Sequence, residues 1–225
     1  MAKKWRIHPH DPVRVRQLEE TAGVSAVVAQ LLLCRGICDP AAARTFLDTR
    51  LSDLRDPETL PGAAQAAEII HRAVQAGRKI AIYGDYDVDG MAATAILLKC
   101  LRLLGSDAAY YVPHRGDEGY GLHADALAKL AAEGAQLVIT VDCGIGSVAE
   151  AAAAKRLGLE LIVTDHHPPD AELPDAAAIV HPRLPGGGYP FGGLCGAGVA
   201  FKLAWPVGTR PSASARRCAT TSWKR

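Results

Sequence analysis

No apolar stretch in this 225-residue chain approaches the roughly 20 residues that a membrane-spanning helix requires, so no membrane partner is expected. No apolar core follows Met1-Ala2-Lys3-Lys4, because Trp5-Arg6-Ile7-His8-Pro9-His10 comes instead, which argues against a secretory leader. The six cysteines are scattered. Cys34 and Cys38 are spaced loosely like a zinc pair, but no second pair completes a site, and both read as buried helix residues. Such thiols suit a reducing compartment, so a cytoplasmic location is expected. Strand patterns are missing up to about Pro57, and acidic residues are missing after Asp175. An excess of basic charge is missing too. The formal charge is +1, yet five basic residues and no acid lie beyond Gly208, leaving 20 basic against 24 acidic groups before it, a net of −4. A negative core is not the usual footprint of a nucleic-acid-binding surface.

Three short apolar runs are present: Lys79 to Gly84, Leu137 to Val141 and Leu159 to Thr164. They are rich in β-branched residues and nearly continuous in apolar character, the pattern of parallel strands covered on both faces. Segments of helical spacing lie between them, at Met91 to Leu104, His123 to Glu133 and Ser147 to Leu157. This alternation predicts an α/β fold with a parallel sheet. The stretch before it reads as helices at Val13 to Thr21, Val24 to Leu33 and Ala41 to Leu47, a helical lead-in packed on the sheet domain.

Each run is followed by acidic or imidazole groups: Asp85-Tyr86-Asp87-Val88-Asp89-Gly90, Asp142-Cys143-Gly144 and Asp165-His166-His167. Open α/β sheets bind ligands beyond the carboxyl ends of their strands, so the clusters are expected to converge on one site. An Asp at a strand-to-helix turn is ordinarily an N-cap. Three alternating carboxylates exceed what one cap uses, and without a cation they would raise one another's pKa. Asp-x-Asp-x-Asp-Gly also opens a calcium loop, but its ninth and twelfth positions would be Ala93 and Ile96, where an EF-hand needs oxygen ligands. Adjacent histidines before Pro168-Pro169 could be merely solvated. Their place behind an Asp at a strand end favours a metal or phosphate role. Oxygen ligands with one or two imidazoles suit a pair of Mn²⁺ or Mg²⁺ ions.

These residues resemble the DHH phosphoesterase family, named for its Asp-His-His triplet, and within it the RecJ branch of single-strand-specific 5′→3′ DNA exonucleases. The likeness lies in Ala29-Gln30-Leu31-Leu32 with Arg35-Gly36-Ile37, in Gly84 to Gly90, in Val112-Pro113 with Arg115 and Glu118-Gly119-Tyr120-Gly121-Leu122, in Thr140 to Gly144, in Thr164 to His167, and in Gly196 to Leu203. The resemblance implies a parallel-sheet DHH phosphoesterase domain that hydrolyses phosphodiester bonds of single-stranded DNA in repair and recombination, as a monomer with two Mn²⁺ or Mg²⁺ ions. It makes Asp87 and Asp89 metal ligands, Asp85 a ligand or near neighbour, Asp142 a bridge between the ions, and His166 a ligand. His167 would face the scissile phosphate, Asp165 would orient the imidazoles, and Arg115 would contact a backbone phosphate, an ordinary surface arginine being the alternative.

Spacing and composition make residues 1–57 a helical segment and 208–225 a disordered basic tail, and the resemblance makes 58–207 a DHH domain incomplete at its C-terminal end. The likeness is read as stopping at Leu203, as after a frameshift, short of a further metal-binding Asp. Weak or absent activity is expected on that reading. Two other functions compete: a DHH phosphatase of a small phosphorylated substrate, and a non-catalytic scaffold.

Overall fold

Alternation along each central strand decides which side chains meet which helices. In the computed structural model, which describes residues 9–209, β1 (Ile80–Tyr83) turns Ile80 and Ile82 to one face of the sheet and Ala81 and Tyr83 to the other. β3 (Leu137–Val141) and β4 (Glu160–Thr164) divide the same way. All five strands are parallel, in the order β2-β1-β3-β4-β5, with β2 (Ala109–Tyr111) and β5 (Ala178–Val180) at the edges. Helices α4 (Ala63–Gln75), α5 (Val88–Leu103) and α8 (Gly196–Thr209) cover the first face through Ile70, Leu97, Leu101 and Leu203. Helices α6 (Ala124–Ala132) and α7 (Val148–Arg156) cover the second through Leu127, Leu130 and Ala154. The fold class is therefore α/β with a parallel sheet.

The chain divides into two compact units at Arg55/Asp56. The first contains α1 (Pro12–Ala22), α2 (Ala26–Cys34) and α3 (Pro40–Leu47) around Val15, Leu18, Ala29, Leu32 and Ala43. Each helix opens on a side-chain cap, Asp11, Ser25 or Asp39. Ser25 moves the start of α2 past Val24. Asp39 accepts from the Ala42 N–H at 2.7 Å. Asp39→Ala is expected to cost about 1 kcal/mol, measurable as a lower urea midpoint.

Two expectations are corrected. Cys38 is exposed and lies beyond α2, while Cys34 is only half-buried, because α2 ends before Arg35-Gly36. Gly208 and Thr209 belong to α8 and not to a disordered tail. The buried positions Val199, Leu203, Pro206 and Val207 keep helical spacing beyond Leu203, and their burial carries the helix to its end. The rest of the expected tail, 210–225, lies outside the described residues.

Candidate metal centre

Because β1, β3 and β4 are parallel neighbours, their carboxyl ends lie side by side and deliver Asp85, Asp142 and Asp165 to one edge of the sheet. Asp87 both belongs to this cluster and caps α5, its Oδ1 accepting from the Asp89 and Gly90 N–H groups at 2.8 and 3.0 Å. The cap and the cluster are thus one side chain. Asp142 stands at φ 64°, a left-handed conformation that costs a non-glycine residue roughly 1–2 kcal/mol.

Two groups of donor atoms each lie within 4.8 Å of one another: Asp85, Asp87 and Asp142, and Asp142, His166 and His167. Asp142 is common to both. Its Oδ1 and Asp85 Oδ1 are buried without a hydrogen-bond partner. Asp142 Oδ1 does stand 3.0 Å from His166 Nε2, but that contact lacks hydrogen-bond alignment. Burial, then the Asp89 and Asp87 charges, push the Asp142 carboxyl up to about 7. Burial also raises Asp85, with Asp87 adding to it. Buried carboxylate oxygens lacking donors are costly unless a cation meets them, and oxygen donors with imidazole nitrogen suit Mn²⁺ or Mg²⁺. The residues present fit such ions.

Asp89 is placed differently. Its oxygens accept from the Gly196 and Ala197 N–H groups of α8, both at 2.7 Å. Burial would raise its pKa, but those amides, with the Cys195 thiol and the nearby His166, outweigh it and the carboxyl is held low. Asp89 Oδ2 remains 3.5 Å from His166 Nε2. Asp165 is buried and fully engaged: Oδ1 meets His166 N at 2.7 Å, His167 N at 3.1 Å and His167 Nδ1 at 2.8 Å, while Oδ2 meets Ile145 N at 3.0 Å. A carboxylate only accepts, so His167 carries its proton on Nδ1 and leaves Nε2 free.

Residues 79–221 match the DHH family, N-terminal domain. The chain belongs to the DHH family. It is 46% identical over 201 residues to the single-stranded-DNA-specific exonuclease RecJ of Bacillus subtilis, covering 89% of this chain and 26% of that protein. Among solved structures it resembles RecJ of Thermus thermophilus in complex with Mn²⁺, at 31% identity and a TM-score of 0.68, over 96% of this chain and 29% of that one. It also resembles an exonuclease RecJ bound to manganese, at 40% identity and a TM-score of 0.59, over 66% of this chain and 37% of that one. The chain thus spans about a quarter of the curated relative. The DHH match continues past Leu203, where motifs alone had ended the resemblance.

Around the DHH triplet stand residues that motif reading assigned no role. The Tyr120 hydroxyl lies 3.0 Å from His167 Nδ1 and 3.4 Å from the Asp142 carbonyl. Its loop is pinned by Glu118, which accepts from the His114 N–H at 2.7 Å and from the Tyr111 hydroxyl. That bond pushes Tyr111 up to about 12. Arg115, for which the resemblance does imply a phosphate contact, is on the same loop with its guanidinium 5.2 Å from the centroid of the Tyr86 ring. His181 and Arg183 approach from the segment after β5, a placement no local motif signals.

Proposed function

We propose that this chain carries the metal centre of a RecJ-type exonuclease that hydrolyses single-stranded DNA from its 5′ end in DNA repair and recombination, with two Mn²⁺ or Mg²⁺ ions. The observation that carries the proposal is the pair of three-residue donor groups meeting at Asp142, whose Oδ1 is buried without a hydrogen-bond partner. Asp85, Asp87 and Asp142 would hold one ion, and Asp142 with His166 the other. Asp89 would anchor α8 beside them through the Gly196 and Ala197 amides and the Cys195 thiol, with its remaining lone pair left for the ligand set. Two such ions supply Lewis-acid stabilisation of the attacking and leaving oxygens of an in-line displacement.

The chain's own residues place the substrate. Asp165 fixes the His167 ring by its Nδ1–H and points Nε2 toward the scissile phosphate. Arg115, held over the Tyr86 ring, offers a planar guanidinium for bidentate contact with a backbone phosphate. Among the described residues no helix is long and apolar enough to cross a membrane. A cytoplasmic monomer acting on DNA completes the proposal, in keeping with the scattered thiols.

The test is nucleotide release from end-labelled DNA with Mn²⁺. Single strands degraded from the 5′ end, with duplex spared, are expected. Asp165→Asn is expected to slow release roughly 10–100-fold, the usual range for a group that orients a metal-site histidine. Hydrolysis of pyrophosphate with DNA left intact would replace the exonuclease reading by the phosphatase one.

A further inference from the structure

We propose that His181 and Arg183 are positioning residues that clamp the backbone of the DHH triplet and so set both of its imidazoles. This rests on the reading above, in which His166 and His167 serve metal and phosphate. His181 is fully buried. One ring nitrogen, Nε2, lies 2.7 Å from the His167 carbonyl, and the other, Nδ1, lies 2.9 Å from the Arg183 amide nitrogen. A carbonyl can only accept and an amide can only donate. His181 is therefore the neutral Nε2–H tautomer, with both nitrogens committed. Arg183 Nη2 donates to the neighbouring carbonyl, that of His166.

Those two bonds complete a pattern. The N–H groups of His166 and His167 both go to Asp165 Oδ1, while their carbonyls go to Arg183 and His181. All four backbone polar groups of the dipeptide are thus taken by side chains. The loop has few donors of its own to offer, since Pro168 and Pro169 lack N–H groups. The clamp is seated by β5 and by the turn before α4: the Asp165 N–H meets the Val180 carbonyl at 3.2 Å, and the His181 N–H meets the Pro61 carbonyl at 3.3 Å. A metal site loses function when its ligands are displaced by about 1 Å, which is why groups that fix ligand orientation matter.

Three variants separate this role from simple scaffolding. His181→Leu fills the space but offers no donor, His181→Gln keeps a terminal N–H, and Arg183→Met removes the second arm from an exposed position. Mn²⁺ affinity is measured by calorimetry, and the ¹⁵N imidazole resonances of His166 and His167 by NMR on metal-free protein. His181→Leu is expected to lose about 10-fold in affinity and to shift both rings' resonances. His181→Gln is expected to recover part of both, and Arg183→Met to shift mainly His166. Unmoved resonances with unchanged affinity in folded His181→Leu and Arg183→Met would overturn the clamp. If His181→Leu does not fold, unmoved His166 resonances in Arg183→Met overturn it alone. A wild-type protein that fails to bind Mn²⁺ would defeat the metal reading instead, while the ring resonances still decide the clamp.

Discussion

Asp142→Asn is expected to cut Mn²⁺ affinity at least 100-fold and, in the ion-free protein, to raise stability above neutral pH. The first effect follows because Asp142 belongs to both donor groups, so its loss takes a ligand from each. A missing ligand should cost more than the 10–100-fold typical of groups behind the ligands. The second effect follows from linkage. The carboxyl rises from an ordinary 3.8 to about 7 in the folded chain, mainly by burial, so the folded state binds the proton more tightly than the unfolded one. Its contribution to stability is therefore intact below about pH 4 and is lost as pH rises toward 7. An amide has no such loss. The variant should gain about 2–4 kcal/mol over wild type above pH 7 and little at pH 4. Melting curves in EDTA at both pH values, beside calorimetry, provide the check. Retained Mn²⁺ affinity with a pH-independent stability difference would count against both the ligand assignment and the buried charge.

Gly196→Ala is expected to break the site from the opposite side. An added Cβ would stand 2.3 Å from Asp142 Oδ1 and 2.7 Å from Asp142 Cβ. The Asp142 Cβ is fixed to the end of β3, so the amino end of α8 must withdraw. Withdrawal stretches the two 2.7 Å bonds from Gly196 and Ala197 to Asp89, and bonds to charged groups contribute roughly 1.5–3 kcal/mol each. A destabilisation of about 3 kcal/mol or more is expected, together with weaker Mn²⁺ binding. Gly198→Ala on the same helix is the control, because its Cβ would meet only side-chain atoms, of Leu194 at 3.1 Å and of Cys195 at 3.8 Å. Equal melting temperatures for the two variants would show that the close approach at Gly196 is unimportant.

The central sheet was legible because β1, β3 and β4 are buried on both faces, and that burial requires the unbroken apolar runs by which they were read. The edge strands β2 and β5 were not. Each has three residues, too few for an alternation to repeat. Helix α4 was overlooked although Ala66, Ile69, Ile70 and Ala73 carry a helical spacing, since small alanines dilute the apolar signal. Within the site, the strand-end carboxylates and the DHH triplet could be read because acids and imidazoles sit directly behind those runs. Asp89 looked equivalent to Asp87 in sequence, and only the tertiary approach of α8 distinguishes the two. His181 and Arg183 act through main-chain carbonyls. Such a contact depends on where two strands end and not on any spacing between residue types.

The seating of Asp89 by α8 has a consequence for the order of events on the ribosome. The last imidazole of the cluster, His167, precedes the amides of Gly196 and Ala197 by roughly thirty residues, which at about 5–20 residues per second take roughly two to six seconds to make. During that interval a nascent chain displays every carboxylate and imidazole of the centre with nothing yet roofing Asp89. An ion bound then would meet a looser set of donors than the finished protein offers, and would be held less tightly until the Gly196 and Ala197 amides arrive on Asp89.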